Sequence, residues 1–299
     1  MPHPDFDLQG HRGARGLFPE NTLHGFRAAA RLGVQTMELD VGTTRDGAVV
    51  VHHDPALNPD TTRDGAGRWL DEPGPLLRDL TLAQLREYDV GRLRPGTPYA
   101  EAYPGQAAQD GAGIPTLDEV LATDAVLLWN IELKVLPTHP DWTIPAEEMV
   151  ERVLHVVGAA GAGPRVALQS FDWRAPRHLR RIRPAIAAGW LTAAGSVADA
   201  PLWLGRHLGS AADVPDAVAA EGGGTWAPHH TDLTEDLLDR AHDLGLRVVP
   251  WTVNAANDMQ RLMDWGVDGL ISDLPDRALV LLGRPARERP AGTGRTSEG

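Results

Sequence analysis

Strand and helix signals alternate along most of this chain, and the alternation restricts its fold more than any other feature of the sequence. Short apolar runs are separated by stretches in which apolar residues recur at helical spacing. This alternation favours a parallel sheet with helical crossovers. The chain lacks both the GxGxxG signature and the Walker lysine signature, which would have indicated a doubly wound nucleotide-binding fold. We therefore predict an α/β fold of the (β/α)8 TIM barrel type.

Nine segments have the composition of a strand, one more than the barrel needs. The third follows the second after a connection too short for a helix, so one of this early pair, or a late segment, is predicted to lie outside the barrel. After the third, the pattern loosens into an insertion at about residues 56–113, rich in Gly, Pro, Asp and Arg. It either shapes substrate access or is a plain added loop. The predicted strands are 7–13, 37–41, 48–53, 125–134, 166–170, 186–191, 225–228, 248–253 and 269–272. Asn254 is predicted to cap the helix that carries Met259.

The length and composition indicate one large folded domain. A chain of 299 residues, of which 42% are hydrophobic and 23% charged, is within the range of a barrel built as a single unit. We predict a barrel domain over residues 1–283. Residues 284–299 contain mainly Pro, Gly, Arg and Ser without periodicity, so we expect a disordered tail there.

Charge, cysteine content and the chain's start exclude several classes of function. A net charge of -13 argues against a protein that neutralises nucleic-acid phosphates. The absence of cysteine excludes disulfides, thiolate nucleophiles and cysteine-based zinc sites. No signal peptide and no apolar run of about 18 residues is visible, so we expect a cytoplasmic protein without stable membrane association.

The stretch from Thr36 to Asp54 places an acidic strand end close to a histidine strand end. Because side chains alternate along a strand, Glu38 and Asp40 point to one face. The two carboxylates and the imidazole of His53 could therefore share a cleft, where a hard divalent cation and a proton-transfer group would suit each other. The alternative is that these are solvated residues near a turn.

A second charged pair ends the predicted strand 125–134. Glu132 and Lys134 share a face there, and they either serve the same cleft or only pair with each other. Active-site residues of TIM barrels lie at the carboxyl ends of strands, so one site is the simplest explanation for the six polar residues found at predicted strand ends. These are His11, Glu38, Asp40, His53, Glu132 and Lys134.

An ordered set of short motifs extends over residues 8–276. The motif residues are His11-Arg12-Gly13, Pro19-Glu20-Asn21-Thr22, Glu38-Leu39-Asp40-Val41, Thr44 with Asp46-Gly47, Val50 with His53-Asp54, Glu132-Leu133-Lys134, Gln169-Ser170-Phe171, Trp251-Thr252-Val253-Asn254 and the stretch from Gly266 to Pro275. Taken together, these motifs resemble the glycerophosphodiester phosphodiesterase family of metal-dependent TIM barrels, and no single motif would carry the resemblance alone.

The resemblance implies hydrolysis of glycerophosphodiesters to sn-glycerol 3-phosphate and an alcohol. It implies His11 and His53 as the acid–base pair. In the mechanism that we favour, one of them activates the neighbouring glycerol hydroxyl and the other protonates the departing alcohol, so that a cyclic phosphate forms. Direct attack by a metal-bound water is the competing route. The other implied residues are Glu38, Asp40 and Glu132 for one divalent cation, Mg2+ or Ca2+, with Arg12 and Lys134 for phosphate and Trp251 for the substrate's alcohol portion.

Some assignments and functions stay open at this point. Trp251 is either a substrate wall or core, and we expect His229 and His230 to be surface residues rather than ligands. His52 and Asn58 depart from the family pattern, which puts substrate preference more in question than chemistry. The alternative functions are a lysophospholipase D-like lipid phosphodiesterase, a non-catalytic phosphodiester-binding barrel, and a metal-dependent sugar isomerase, which would not explain Arg12 and Lys134.

Overall fold

The computed structural model describes residues 6–284, which form a nearly closed barrel of eight parallel strands with helices between them. In the sheet the order is β8-β7-β6-β5-β4-β2-β1-β9, and β3 pairs only with β2, in antiparallel fashion. The predicted extra strand is therefore the second member of the early pair. The strands are β1 (Asp7–Gly10), β2 (Thr36–Thr43), β3 (Val49–Val51), β4 (Leu128–Leu133), β5 (Val166–Ser170), β6 (Ala187–Thr192), β7 (Thr225–Pro228), β8 (Arg247–Val248) and β9 (Gly269–Ser272).

Backbone hydrogen bonds between the ends of the sheet close the barrel. The N–H of Asp268 donates to the carbonyl of Val248, and the N–H of Ile271 donates to the carbonyl of Pro250, each at 3.0 Å. β8 is shorter than the predicted strand 248–253. Pro250 has no N–H to donate, so regular pairing stops before it, although the extended chain continues beside β7.

Helices follow most strands, and capping residues fix several of their ends. The Thr22 hydroxyl accepts from the Gly25 N–H at the start of the first helix, and Gly33 ends it in the left-handed region. The helices are α1 (Leu23–Leu32), α2 (Leu82–Leu85), α3 (Pro98–Ala102), α4 (Leu117–Leu121), α5 (Ala146–Ala159), α6 (Arg174–Ile182), α7 (Ala194–Ala198), α8 (Ala200–Trp203), α9 (Val214–Ala220), α10 (Glu235–Asp243), α11 (Ala256–Trp265) and α12 (Pro275–Leu281), with 3-10 turns at Leu77–Asp79, Gly163–Arg165 and Ala211–Asp213.

One predicted cap is wrong. The sequence suggested Asn254 as the residue that caps the helix carrying Met259, but the residue at that position is Ala255. The Asn254 side chain turns to the next strand instead, where its oxygen accepts from the Asp273 N–H at 3.0 Å. The Asn254 amide could have accepted either from the start of the helix or from the loop after β9, and it accepts from the loop.

Strand alternation separates the core from the barrel interior. On β2, Met37 and Leu39 are fully buried in the main apolar core, which includes residues of the surrounding helices. The intervening Glu38 and Asp40 therefore face the interior of the barrel. This arrangement places both carboxylates at the carboxyl end of a central strand, as the sequence predicted.

The insertion after β3 has a small apolar core of its own. Leu57, Leu77 and Leu85 are buried in it, together with Val50 of β3. Segments within it are tied by isolated bridges, including one between Arg63 and Asp89. Within residues 6–284 no helix has both the length and the apolar character that a membrane span needs. The predicted disordered tail lies, apart from its first residue, outside the described part of the chain.

Candidate active site

Three buried carboxylates meet inside the carboxyl end of the barrel. β2 and β4 are parallel neighbours in a register that sets Asp40 beside Glu132, and Glu38 lies two residues before Asp40. One carboxylate oxygen from each of Glu38, Asp40 and Glu132 lies within 4.8 Å of the others. Burial, followed by the charges of Asp40 and Glu132, raises the pKa of Glu38 well above its ordinary value. The cluster therefore concentrates negative charge that a cation would relieve.

Two cationic side chains border this cluster. The Lys134 ammonium lies 2.6 Å from Glu132 Oε1 and 3.5 Å from Asp40 Oδ1. The Arg12 Nε lies 3.3 Å from Asp40 Oδ2. Burial alone would raise the pKa of Asp40, but His53, Arg12 and Lys134 outweigh it and hold this pKa far below its ordinary value. Lys134 thus pairs with Glu132 and also lies beside Asp40, so the two residues do not pair only with each other.

The loop after β1 adopts an uncommon backbone conformation that brings two side chains to Asp40. Arg12 and Asn21 have φ values of 52° and 53°, in the left-handed region that residues other than glycine seldom occupy. The N–H of Asn21 donates to the Arg12 carbonyl at 3.0 Å, and its side chain donates to Asp40 Oδ2 at 2.9 Å. Gly10 permits the turn, since a Cβ there would lie 1.8 Å from the Gly13 carbonyl oxygen.

His11 is held by a carboxylate from the opposite end of the chain. Its Nδ1 lies 2.5 Å from Asp273 Oδ1, in the loop after β9, and its Nε2 faces Glu38 Oε2 at 3.8 Å. Burial lowers the pKa of His11, and the charge of Asp273 opposes that shift. Three further residues donate to Asp273, each through an atom at 2.6 Å: Arg15 Nε, Tyr103 Oη and Asn254 Nδ2.

His53 is held by its neighbour in the sequence. Its Nδ1 lies 2.7 Å from Asp54 Oδ1, and the amide of Asn58 donates to Asp54 Oδ2 at 2.8 Å. Burial, followed by the charges of Lys134 and Arg12, lowers the pKa of His53 to about 4. Asn58, one of the two departures from the family pattern, thus supports this histidine. His52 points elsewhere, and its buried Nε2 has no hydrogen-bond partner among residues 6–284.

Trp251 belongs to an aromatic group at the rim of the barrel. Its ring centroid lies 5.3 Å from that of Phe171 and 5.1 Å from that of His229, both in edge-on geometry. The indole N–H donates to the Ala227 carbonyl at 3.0 Å. Trp251, His229 and His230 are all half-buried. None of the three belongs to the carboxylate cluster, and Trp251 is not part of either buried apolar core of the described residues.

The sequence indicated the candidate site residues but assigned no role to the side chains that contact them. Glu20, Asp54 and Asp273 occur in the matching motifs, yet only the structure pairs them with Arg12, His53 and His11. A sequence signal existed, since Asp54 directly follows a strand-end histidine and Asp273 directly follows β9. Nothing in the sequence indicated Tyr103, because it lies in the insertion, far from every motif.

Comparisons with known proteins agree on one family. The model described as Glycerophosphoryl diester phosphodiesterase family matches residues 11–277. A Bacillus subtilis glycerophosphodiester phosphodiesterase is 30% identical over 271 residues, which cover 89% of this chain and 83% of that protein. A crystal structure from Silicibacter pomeroyi, provisionally named glycerophosphoryl diester phosphodiesterase, has a TM-score of 0.86 at 36% identity and covers 96% of this chain and 97% of its own. An Oleispira antarctica phosphodiesterase in complex with the product sn-glycerol-3-phosphate shares the fold, with a TM-score of 0.69 at 23% identity, over 93% and 96% of the two chains.

Proposed function

The chain belongs to the glycerophosphoryl diester phosphodiesterase family and is a phosphodiesterase, and from this premise we propose that it hydrolyses glycerophosphodiesters to sn-glycerol 3-phosphate and an alcohol. One observation carries the proposal: two imidazoles, each oriented by a carboxylate, accompany a buried three-carboxylate cluster bordered by two cations. That set supplies proton transfer and phosphate binding together.

We propose that Glu38, Asp40 and Glu132 hold one divalent cation, Mg2+ or Ca2+. Their oxygens are the ligands that hard cations prefer, and they converge within 4.8 Å. The buried Asp40 Oδ1 accepts no hydrogen bond from any residue that the structure describes, which fits an oxygen reserved for another partner. When bound, such a cation would offset negative charge on the phosphoryl oxygens.

Arg12 and Lys134 are proposed to bind the phosphate. Both are buried cations whose positions are fixed by acidic neighbours, so they need little reorganisation when substrate enters. Trp251 is proposed to contact the alcohol portion, because its aromatic group lines the rim where a substrate would extend outward. A rim of this kind accepts alcohols of varied structure, since aromatic packing is not specific for one group.

We propose that the two histidines divide the proton transfers. One imidazole takes the proton of the glycerol hydroxyl adjacent to the phosphorylated oxygen; that hydroxyl oxygen bonds to phosphorus as the bond to the alcohol oxygen breaks, and the other imidazole protonates the departing alcohol. Water then opens the cyclic phosphate to sn-glycerol 3-phosphate. Burial lowers the pKa of both imidazoles. Lys134 and Arg12 further favour the neutral form of His53, so we assign it as the base. The charge of Asp273 favours the protonated form of His11, so we assign His11 as the acid.

Product release tests this proposal directly. Purified protein is incubated with glycerophosphocholine and glycerophosphoethanolamine, first with EDTA and then with Mg2+ or Ca2+ restored, and sn-glycerol 3-phosphate is assayed. We expect release only with the cation. Activity on lysolipid micelles without activity on these substrates would favour the lipid phosphodiesterase, and saturable binding without release would favour the binding protein.

Glu132→Gln provides the matched test of the cation site. The substitution keeps the shape of the side chain but removes one charge, so we expect half-maximal release to require about tenfold more cation, as for altered support at metal sites. Asp124→Asn, outside the cluster, serves as the control. An unchanged cation requirement in Glu132→Gln would remove this residue from the ligand set.

A further inference from the structure

The insertion carries all three tyrosines of the chain, and two of them reach the active site. We propose that Tyr103 is a positioning residue for His11, acting through Asp273, and that Tyr99 is a positioning residue for Arg12, acting through Glu20. This inference rests on the proposed function for its kinetic part only. It makes the insertion a component of the active site rather than an added loop.

The insertion is attached to the loop that follows β1. The N–H of Ala107 donates to the Leu17 carbonyl at 2.8 Å, and the Gln106 side chain donates to the Arg15 carbonyl at 2.7 Å. The Arg15 guanidinium stacks 5.7 Å from the ring centroid of Tyr99 and 5.6 Å from that of Tyr103. These contacts place both phenols at fixed positions beside the loop that carries His11 and Arg12.

Tyr103 completes the hydrogen bonding of Asp273. Its hydroxyl donates to Oδ2 at 2.6 Å while Oδ1 of the same carboxylate lies 2.5 Å from His11 Nδ1. The Asp273 side chain is fully buried, so water cannot replace a lost donor without a rearrangement. Burial and the charge of Asp273 raise the pKa of Tyr103, so its hydroxyl keeps its proton and remains a donor at every pH used in the assays. Loss of this donor would leave the carboxylate, and hence the imidazole, less well oriented.

Tyr99 acts on the other side of the same loop. Its hydroxyl donates to Glu20 Oε2, and Oε1 of that carboxylate lies 2.9 Å from a terminal nitrogen of Arg12. The Arg12 Nε in turn lies 3.3 Å from Asp40 Oδ2. A phosphate ligand that approaches Arg12 therefore meets a guanidinium held from two sides. The two tyrosines thus support different groups, one for proton transfer and one for binding.

The kinetic test removes one hydroxyl at a time. We expect Tyr103→Phe to lower kcat about tenfold, with KM within about twofold of wild type, because supporting hydrogen bonds at active sites contribute at least this much. We expect Tyr99→Phe to raise KM about tenfold with little change in kcat. Tyr88→Phe is the control, since the Tyr88 ring packs against the insertion's own apolar core. Equal effects in all three variants, or none in Tyr99→Phe and Tyr103→Phe, would overturn the proposal.

A spectroscopic measurement separates this inference from the proposed function. The Nδ1–H of an imidazole bound to a buried carboxylate gives a downfield proton resonance, which is assigned to His11 by its loss in His11→Ala. Tyr103→Phe should shift this resonance, whereas Tyr88→Phe should leave it in place. If wild type released no sn-glycerol 3-phosphate, the proposed function would fail while this measurement still decided the role of Tyr103. An unshifted resonance in Tyr103→Phe would contradict that role.

Discussion

The two histidines of the site are supported in very different ways. His11 pairs with Asp273, 262 residues away, and the Asp273 side chain is 0% exposed. His53 pairs with the adjacent Asp54, and these two side chains are 30% and 35% exposed. Asp273 receives donors from the β1 loop, the insertion and the segment before α11, whereas Asp54 receives one from Asn58.

We call each histidine together with its carboxylate a relay. The His11 relay joins segments from the two ends of the chain, whereas the His53 relay lies within one local turn. The His11 relay needs the first and last strands of the chain to pair, because β9 must lie beside β1 before Asp273 can reach the ring. The His53 relay needs only the chain that follows β3. A buried carboxylate with fixed donors favours a stable orientation, whereas a half-exposed one can exchange its partner for water. We therefore expect equal importance of the two imidazoles but unequal importance of their carboxylates.

The largest expected effect is the loss of either imidazole. His11→Ala and His53→Ala should each lower kcat by about 100-fold or more, in line with general acid–base contributions. Steady-state release of sn-glycerol 3-phosphate measures both, with His155→Ala on the α5 surface as control. Near-normal turnover in either variant would show that this histidine does not take part in the mechanism, and its relay would then have no catalytic role.

Replacement of the carboxylates should lower kcat by different amounts in the two relays. Asp273→Asn should lower kcat about 10- to 100-fold, because the amide cannot satisfy Arg15 and His11 at a side chain that is buried from solvent. Asp54→Asn should cost about threefold, since solvent reaches this pair and hydrogen bonds there contribute little net free energy. The kcat values of the two variants are measured side by side. Similar losses of kcat would show that the burial of the carboxylate does not determine its importance.

The pH dependence should report His53 on the acidic side. The pKa of His53 is lowered to about 4, and a general base acts in its neutral form. Activity should therefore be retained at pH 6 and fall only as the pH decreases further toward this value. The profile of kcat/KM is measured with the cation saturating at every pH. An acidic limb at or above pH 6.5 would contradict the assignment of His53 as base.

The smallest expected effect is the loss of Asn58, which donates a hydrogen bond to the carboxylate of the His53 relay. Asn58→Ala removes the amide that donates to Asp54 Oδ2, and kcat should fall about twofold, because water can replace a donor at a half-exposed carboxylate. Asn254→Ala is the comparison, because its amide donates to the buried Asp273 and should matter several times more. A larger loss in Asn58→Ala than in Asn254→Ala would reverse the ranking of the two relays.

The sequence indicated where the proposed site residues lie better than it indicated the residues that support them, for a physical reason. Alternation along a strand fixes the face of Glu38 and Asp40, and barrel closure brings strand ends together, so local pattern and fold class were enough. The pairing of His11 with Asp273 also follows from closure, but the choice of Asp273 as its partner depends on loop geometry. Asn254 was misread as a helix cap because the same amide suits both roles.

The insertion was the part least open to prediction. Its sequence has no periodicity that places Tyr99 or Tyr103, and their contacts depend on how the segment docks on the β1 loop. Docking of this kind is decided by many weak contacts between distant segments, which a local pattern does not encode. The shortened β8 has a different, local cause that is visible in the sequence, because a single proline, Pro250, ends regular pairing.

The measurement that tests the central claim most directly is 31P NMR of glycerophosphocholine during turnover, because it identifies the bond that breaks. With Mg2+ or Ca2+ present, we expect the diester signal to be replaced by that of sn-glycerol 3-phosphate, with no phosphocholine, and we expect EDTA to stop the conversion. Accumulation of phosphocholine, or conversion that continues in EDTA, would contradict a cation-dependent site in which His11 and His53 release the alcohol from glycerol phosphate.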